Sequence, residues 1–334
     1  MTGLLLLNLG TPDAPNTPEV RRYLREFLMD PRVLDINGLG RWLLVNGVIA
    51  PFRSPKSAAA YKTVWMPEGS PLLVYGRALK NGVQQALGQG YKVALGMRYG
   101  NPGTPGAMAE LADCERIIVL PLYPQFASAS TASSLAQINE ISAEMAVPPP
   151  LQIIQDFYDL PAFIHAQAEL AREAVAQADH VLFSYHGVPE RQLKTTDHSG
   201  NHCLAKDYAC CAKIVPANRH CYRAQCQATT QALMDALSLA PEQCTQSFQS
   251  RLGKTPWIQP FTDQVVPKLA QDGVKTLAVL TPSFTADCLE TIEEIGDRAK
   301  EDFLGAGGET LLRVPCVNAT QTWVDGLAEW VRGL

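Results

Sequence analysis

The sequence lacks three features that mark common classes of protein. No apolar run approaches the ~20 residues of a membrane-spanning helix, since Leu4 to Leu7 is only strand-length. The 28 Lys and Arg residues are outnumbered by 33 Asp and Glu, so no basic surface is expected to neutralise nucleic-acid phosphates. No GxGxxG motif or P-loop lysine follows the first predicted strand, so nothing favours nucleotide binding. With no signal-peptide pattern either, we expect a cytoplasmic protein.

The 334 residues alternate between short apolar runs and longer amphipathic stretches. Hydrophobic residues make up 46% and charged residues only 18%, which allows a large core and argues against disorder. Strands separated by helices predict an α/β fold with parallel sheets covered on both faces. The clearest helices are expected at residues 17–29 and 161–178. The strands are expected at residues 3–9, 93–99, 116–123, 151–156, 180–185, 245–249 and 276–281.

A weak internal repeat relates the two halves of the chain. Three pairs of strand ends correspond in order, namely residues 6–12 with 184–189, 96–100 with 248–253, and 119–124 with 279–284. We therefore predict two similar, doubly wound Rossmann-like domains, at residues 1–150 and 151–318, with a C-terminal helix in 319–334 packing back on the first. Chance similarity among loops is the alternative. In such sheets ligands bind beyond the carboxyl ends of the strands.

His186 ends one of the predicted strands and is followed at once by Gly187 and Pro189. A histidine in this position is expected to project beyond the sheet edge. Its ordinary pKa of about 6.5 suits it to accept a proton or bind a metal ion. A packed, hydrogen-bonded histidine is the more frequent alternative.

A second candidate is the acidic segment that follows the strand at 276–281. If a helix begins near Asp287, then Glu290, Glu293 or Glu294, and Asp297 share one face. An imidazole and a carboxylate could together remove protons from a ring nitrogen and escort a divalent cation. The alternative is an ordinary solvated helix surface.

Several aromatic residues also fall on predicted strand ends and loops, where they suit a flat apolar ligand as well as a core. They are Tyr99, Tyr123, Phe126, Trp257 and Phe284. Arg98 could pair with a carboxylate on such a ligand.

Eight segments, in collinear order, resemble those of ferrochelatases. Each is weak alone, but together they are specific and extend to about residue 318. They are residues 7–12, 21–35, 68–72, 98–100, 121–125, 183–187, 248–250 and 287–291.

The resemblance implies an enzyme of the lyase class that inserts Fe²⁺ into a porphyrin in haem biosynthesis, with the porphyrin in a cleft between two Rossmann-like domains. It implies His186 and Glu290 as catalytic residues and ligands of the Fe²⁺ substrate, and Glu294 and Asp297 as an acidic path. Whether His186 first takes a proton or binds the metal stays open. The implied porphyrin-binding residues are Arg98, Tyr99, Tyr123, Trp257 and Phe284.

The substrate and activity leave alternatives open. Residues 10–15, Gly-Thr-Pro-Asp-Ala-Pro, favour protoporphyrin IX and hence protohaem as product, with coproporphyrin as the alternative. A cobalt or nickel chelatase is a rival, although only one strand-end histidine is found. A haem or iron–sulfur sensor without turnover is another. The apolar segment 39–52 could touch a bilayer at the inner face of the membrane or form a buried helix, and the oligomeric state is open.

Five of the nine cysteines crowd into a segment of about residues 193–226. Their C-x6-CC-x9-C-x4-C spacing lacks the C-x-x-C pairs common in zinc sites. The segment resembles an insertion in certain bacterial ferrochelatases that hold a [2Fe–2S] cluster, which implies Cys203, Cys210, Cys211 and Cys221 as its ligands. Cys226 is a fifth candidate, and zinc or free thiols are the alternatives.

Overall fold

The computed structural model describes residues 1–251, 253 and 255–334. The chain forms two compact units. The first unit comprises Met1–Tyr123, Ser128–Asp156 and Val324–Leu334, and the second comprises Pro124–Ala127 and Phe157–Trp323. Leu252, which belongs to the predicted repeat, lies outside the described residues.

The first unit contains a four-stranded parallel sheet in the order β2-β1-β3-β4. Its central strand is covered on both faces, since Leu4 to Leu7 are all fully buried, and this accounts for a continuous apolar run instead of an alternating one. The strands are β1 (Thr2–Thr11), β2 (Tyr91–Gly100), β3 (Arg116–Pro121) and β4 (Leu151–Ile153).

The helices of the first unit begin and end on recognisable signals. The Asn16 side chain caps the first helix by accepting the Glu19 amide at 3.1 Å, and Gly88, at φ +74°, ends the helix that starts at Pro71. The α-helices are α1 (Thr17–Leu28), α2 (Gly38–Leu43), α3 (Ala50–Val64), α4 (Pro71–Leu87), α5 (Thr104–Glu110) and α6 (Ser133–Glu144), and π-helices occupy Leu44–Ile49 and Ser128–Ala132.

The second unit repeats the same strand order, with its second strand on one side of its first and its third and fourth on the other. Its core packs Leu182, Leu277 and Val279 of the sheet against Val266 and Phe303 of the helices. The strands are β5 (His180–His186), β6 (Cys244–Gln249), β7 (Thr276–Leu280) and β8 (Thr310–Arg313).

The helices of the second unit include several short or irregular ones. The α-helices are α7 (Pro161–Gln177), α8 (Glu190–Lys194), α9 (Tyr222–Leu237), α10 (Thr262–Gln271) and α11 (Lys300–Gly305). The last helix, α12 (Gln321–Arg332), begins in this unit, and its residues from Val324 onward belong to the first unit. A π-helix occupies Glu290–Ala299, and 3₁₀ segments occupy Lys206–Cys211, Pro216–Asn218 and Pro241–Gln243.

The predicted fold class is confirmed, because both units are parallel α/β sheets flanked by helices. All seven predicted strands are present, whereas the four-residue β8 was not predicted. Within the part of the chain that the structure describes, no helix combines the length and the apolar character needed to cross a bilayer.

Candidate active site

His186 is the last residue of β5, where it is paired with Gln249 of β6 and half-buried. Its Nδ1 lies 2.6 Å from the carbonyl oxygen of Gly187. Because a carbonyl can only accept, Nδ1 carries the proton in this contact, and the lone pair of the neutral ring is left on Nε2. The ring centroid lies 6.3 Å from that of Phe284. The imidazole can therefore accept a proton or bind a cation beside an aromatic wall.

Gly187 follows His186 where the chain runs close to the end of β6. A Cβ atom at this position would lie 2.8 Å from the Gln249 carbonyl oxygen and 3.2 Å from Cε3 of Trp257. The Gly187 amide donates to that same carbonyl at 2.8 Å. Only glycine permits this close approach, and the approach brings the Trp257 ring next to the histidine loop.

Glu290 begins the acidic π-helix and is half-buried. Burial raises the pKa of its carboxyl, and the negative charge of Glu294 raises it further. The interaction with Cys288 and the charge of His186 oppose this rise, so Glu290 and His186 lie within electrostatic reach of each other. Both residues of the predicted pair lie in the second unit, and Gln249, the strand partner of His186, bonds the Glu290 carbonyl oxygen at 2.9 Å.

The π-helix corrects the predicted acidic face. A π-helix bonds i to i+5 and has more residues per turn than an α-helix, so seven residues fall short of two full turns. Glu290 and Glu294 still share a face, but Asp297 is exposed, and Glu293 pairs with Arg298 at 2.7 Å. Asp297 therefore lies away from the face that Glu290 and Glu294 share, and its place on an acidic path stays a prediction.

Arg98 and Tyr99 of the first unit are engaged with Asp30. The Arg98 guanidinium lies 2.7 Å from the Asp30 carboxylate, and the Tyr99 hydroxyl donates to it at 2.8 Å. Burial alone would raise the pKa of Asp30, but hydrogen bonds from Ser133, the Arg32 amide and Tyr99, with the Arg98 charge, lower it. Tyr99 is only 1% exposed and its hydroxyl supports Asp30, and its contact with a porphyrin stays a prediction.

Tyr123 is also interior in the structure. It is 9% exposed, and its hydroxyl lies 3.3 Å from the Ser134 hydroxyl. Burial raises the pKa of this phenol well above its ordinary value. The predicted porphyrin contact of Tyr123 therefore has little surface available, whereas Trp257 and Phe284 lie at the histidine loop.

The predicted cluster ligands are neighbours in the cysteine-rich segment. The thiols of Cys203 and Cys211 both interact with that of Cys221, and Cys210 Sγ lies 3.9 Å from Cys211 Sγ. Cys226 is fully buried in α9, beside Tyr222. All nine cysteines lie within the described residues, and each carries a free thiol.

These thiols are linked in pairs and do not converge on one point. Among the described residues, no group of three or more His, Cys, Asp or Glu side chains is arranged to hold a metal ion. The arrangement therefore does not support the predicted [2Fe–2S] cluster.

A family model described as Ferrochelatase matches residues 1–333. The chain belongs to the ferrochelatase family. A curated ferrochelatase from Legionella pneumophila (strain Corby) is 47% identical over 328 residues, which cover 97% of each chain. One from Coxiella burnetii (strain Dugway 5J108-111) is 45% identical over 336 residues, which cover 99% of this chain and 93% of that one.

A solved structure of CbiX, described as the terminal enzyme for biosynthesis of siroheme in denitrifying bacteria, covers 99% of the chain at 13% identity with a TM-score of 0.49. Membership in the ferrochelatase family confirms the predicted family and the predicted class of enzyme, a porphyrin metal chelatase.

Gln249 is one site residue in this member of the ferrochelatase family that the sequence did not single out. Its Nε2 donates to the Glu290 carbonyl oxygen at 2.9 Å and to Glu294 Oε2 at 3.1 Å. Its Oε1 accepts the Ser184 hydroxyl at 2.8 Å, and the Ser250 hydroxyl also donates to Glu294. The only signal was its place at a strand end within the segment 248–250.

Asp287 is a second residue that the sequence placed on the helix without a role. It is 3% exposed and is bonded by Arg313 at 2.6 Å, Asn318 at 2.9 Å and Thr291 at 2.8 Å. These contacts come from β8, from the segment after it and from the helix itself. They fix the start of the π-helix, and with it Glu290.

Proposed function

We propose that this chain inserts Fe²⁺ into protoporphyrin IX to form protohaem, with His186 and Glu290 as the catalytic pair. The observation that carries the proposal is that Gln249, the strand partner of His186, donates a hydrogen bond to the Glu290 carbonyl oxygen at 2.9 Å, so the ends of β5 and β6 lie at the start of the acidic helix. Burial raises the pKa of the Glu290 carboxyl there. Insertion releases the two pyrrole N–H protons of the porphyrin, so two proton acceptors are needed. An imidazole and a carboxylate of raised pKa supply them.

His186 offers its Nε2 lone pair to a pyrrole proton or to the Fe²⁺ substrate. Glu290 receives the second proton or shares in binding the cation, and Glu294 behind it extends the acidic path. Burial and the Glu294 charge make Glu290 a better proton acceptor near neutral pH than an ordinary carboxylate. Gln249 donates through its amide to the Glu290 backbone carbonyl and to the Glu294 carboxylate, which holds both residues in place.

The porphyrin faces the second unit through aromatic contacts. Trp257 lies against Gly187, and Phe284 lies beside the His186 ring, so a flat apolar ring can cover the imidazole. The Arg98 side chain is 18% exposed and is paired with Asp30. Arg98 would therefore contact a porphyrin carboxylate with its exposed part while it stays paired with Asp30. Residues 10–15 favour protoporphyrin IX over coproporphyrin by their resemblance to ferrochelatases that use the former.

Anaerobic Fe²⁺ insertion, followed by absorbance with protoporphyrin IX and coproporphyrin in parallel, tests the proposal. We expect faster turnover of protoporphyrin IX, and loss of at least a hundredfold in His186→Ala and Glu290→Gln. His180→Ala is the matched control, because His180 lies at the other end of β5 and contacts Thr245. A fully active His186→Ala enzyme would overturn the assignment, and preferred insertion into coproporphyrin would correct the substrate.

We further propose that Cys203, Cys210, Cys211 and Cys221 hold a [2Fe–2S] cluster. The proposal rests on the resemblance of residues 193–226 to the insertion of cluster-bearing ferrochelatases, and the thiol contacts that link these four cysteines are compatible with it. Four thiolates are the usual ligand set, and the cluster would supply a one-electron redox couple when bound.

The loop that carries Cys203 is organised by Asp197. Its carboxylate accepts the amides of His202 and Cys203, both at 2.8 Å, and the Ser199 hydroxyl at 2.6 Å. The Asn218 amide group holds the Cys210 carbonyl at 2.8 Å. The backbone at Cys203 and Cys210 is therefore held in place by side-chain hydrogen bonds.

Iron and acid-labile sulfide in anaerobically purified protein test the cluster. We expect two of each per chain, lost in serine variants of the four proposed ligands and retained in Cys226→Ser. Cys244→Ser serves as a second control on β6. Zinc without sulfide, or metal-free thiols in protein shown to be folded, would overturn this part of the proposal.

We propose a cytoplasmic location with peripheral contact to anionic membrane. The π-helix Leu44–Ile49 and its neighbours expose large apolar side chains, including Leu39 at 72%, Trp42 at 54% and Phe52 at 77%. Exposed Arg53 lies next to Phe52 in the sequence, an amphipathic combination suited to a lipid interface. The wild type should float with anionic vesicles in a density gradient. The double variant Trp42→Ser/Phe52→Ser should not float with them. Equal flotation of the variant would contradict the contact.

A further inference from the structure

The backbone of His186 lies beyond the ladder that joins β5 to β7. The last pair in that ladder is Phe183 with Leu280, three residues before His186. On this side the chain of β7 has already turned away into the loop that carries Ser283. A backbone amide without a strand partner must find another acceptor.

That acceptor is the Ser283 side chain. The His186 amide donates to Ser283 Oγ at 3.0 Å, and the His186 carbonyl oxygen accepts the Tyr222 hydroxyl at 2.8 Å. Tyr222 stands on the first turn of α9 and is 7% exposed. Both polar backbone groups of His186 are therefore held by hydroxyl side chains from two other elements.

Each hydroxyl serves a different backbone group of His186. Tyr222 gives its one proton to the His186 carbonyl oxygen, and Ser283 accepts the proton of the His186 amide. We call these two hydrogen bonds the circuit of His186, because together they hold both polar backbone groups of that residue.

We propose that Tyr222 and Ser283 are positioning residues that fix His186 for metal insertion. The inference rests on the proposed function of His186. Ser283 immediately precedes Phe284, and the same stretch of chain leads to Glu290, so the circuit ties the imidazole to the element that carries its carboxylate partner. A misplacement of about 1 Å at such a pair costs on the order of a hundredfold in rate.

Tyr222→Phe and Ser283→Ala each break the circuit with a minimal change of shape. We expect each to lower kcat for Fe²⁺ insertion into protoporphyrin IX about tenfold or more, with KM for the porphyrin within twofold. Because one circuit is broken in either case, the double variant should be no slower than the worse single variant. Ser283→Thr, which keeps the hydroxyl, should retain most of the activity.

Tyr185→Phe is the matched control. Tyr185 precedes His186 in β5, is fully buried, and its hydroxyl bonds Thr230 at 2.8 Å and not the histidine loop. We expect kcat to stay within twofold of the wild type. Equal losses in this control, unchanged kcat in both single variants, or multiplied losses in the double variant would overturn the proposal.

Hydrogen exchange of the His186 amide, read by NMR, gives a measurement independent of turnover. Folded Ser283→Ala and Tyr222→Phe proteins should exchange this amide at least tenfold faster, with core amides of β5 unchanged. Unchanged exchange would overturn the circuit even if kcat falls. If the variants exchange this amide faster but the wild type inserts no metal, the circuit is supported and the proposed function is rejected.

Discussion

The Nε2 of Gln249 lies 3.1 Å from Glu294 Oε2 while it also bonds the Glu290 carbonyl oxygen at 2.9 Å. The neutral side chain of Gln249, at the end of β6, is therefore hydrogen-bonded to both Glu290 and Glu294 of the π-helix. The Oε1 of Gln249 accepts the hydroxyl of Ser184 in β5. Gln249 therefore fixes the position of the helix relative to the strand that carries His186. Gln249 is 5% exposed, and burial leaves it few alternative partners.

Gln249→Leu should lower the rate of metal insertion ten- to a hundredfold, because the acidic pair loses its anchor. It should also cost about 1–3 kcal/mol of unfolding free energy, since Ser184 loses its acceptor in the core. Gln246→Leu, on the same strand, is the control, because the Gln246 Nε2 has no hydrogen-bond partner among the described residues and its Oε1 accepts a long bond from Thr230 at 3.4 Å. Steady-state kinetics and chemical denaturation measure both effects, and equal behaviour of the two variants would contradict the anchoring role.

Glu294→Gln should shift the pH dependence of insertion. The charge of Glu294 raises the pKa of Glu290, so its removal lowers that pKa. Glu290 must be ionised to accept a proton, so activity falls as the pH drops through this pKa. The midpoint of the acid limb of kcat/KM should therefore move to lower pH in Glu294→Gln.

Glu293→Gln is the control for that shift. Glu293 is the neighbouring residue on the same helix, and both Glu293 and Glu294 pair with Arg298, at 2.7 and 3.1 Å. The charge that raises the pKa of Glu290 is that of Glu294. Its acid limb should coincide with that of the wild type. A limb that moves to higher pH in Glu294→Gln, or that moves equally in both variants, would contradict the coupling of Glu290 to Glu294.

The sequence predicted the fold well where hydrophobic periodicity is strong. The buried run Leu4 to Leu7 and the strand ending in His186 lie where they were expected, because parallel strands covered on both faces require continuous apolar segments. The strand β8 was missed because four residues, with Arg313 pointing to Asp287, carry too little pattern.

The sequence indicated which residue types form the site, but it did not indicate which residues those side chains contact. Asp297 was placed on the acidic face because an α-helix was assumed, and the π-helix at Glu290–Ala299 depends on tertiary contacts. Tyr99 was expected to meet a ligand because aromatic residues at strand ends suit both a cleft and a core. Its bond to Asp30 joins residues 69 positions apart, which no local pattern reveals.

Gly187→Ala should disable the histidine loop. A Cβ atom would lie 2.8 Å from the Gln249 carbonyl oxygen, so either the β5–β6 pairing or the loop must shift. We expect a lower Tm and loss of most activity. Gly106→Ala in α5 is the control, because nothing lies within 4 Å of its added Cβ and alanine favours a helix by about 0.5–1 kcal/mol. A Gly187→Ala enzyme as stable and active as the wild type would refute the required close approach.

Asp30→Ala should destabilise the first unit more than loss of an ordinary surface pair. The Asp30 carboxylate is 2% exposed and the Arg98 side chain 18%, so removal of the acid leaves a largely buried cation without its partner. Breaking such a pair costs about 3–5 kcal/mol, whereas Asp272→Ala, which breaks the exposed Lys268 pair, should cost under about 1 kcal/mol.

The pH dependence of the Asp30 effect follows from the lowered pKa of its carboxyl. The stabilisation by Asp30 is fully present above the ordinary Asp pKa of about 3.9 and is lost as the pH falls through the lower, folded-state value. The difference in unfolding free energy between wild type and Asp30→Ala should therefore be largest near neutral pH and shrink in acid. Denaturant titrations at several pH values measure it. A difference that grows as the pH falls would mean that Asp30 is stabilised in its protonated form, and that its contacts with Arg98 and Tyr99 do not hold it as a carboxylate.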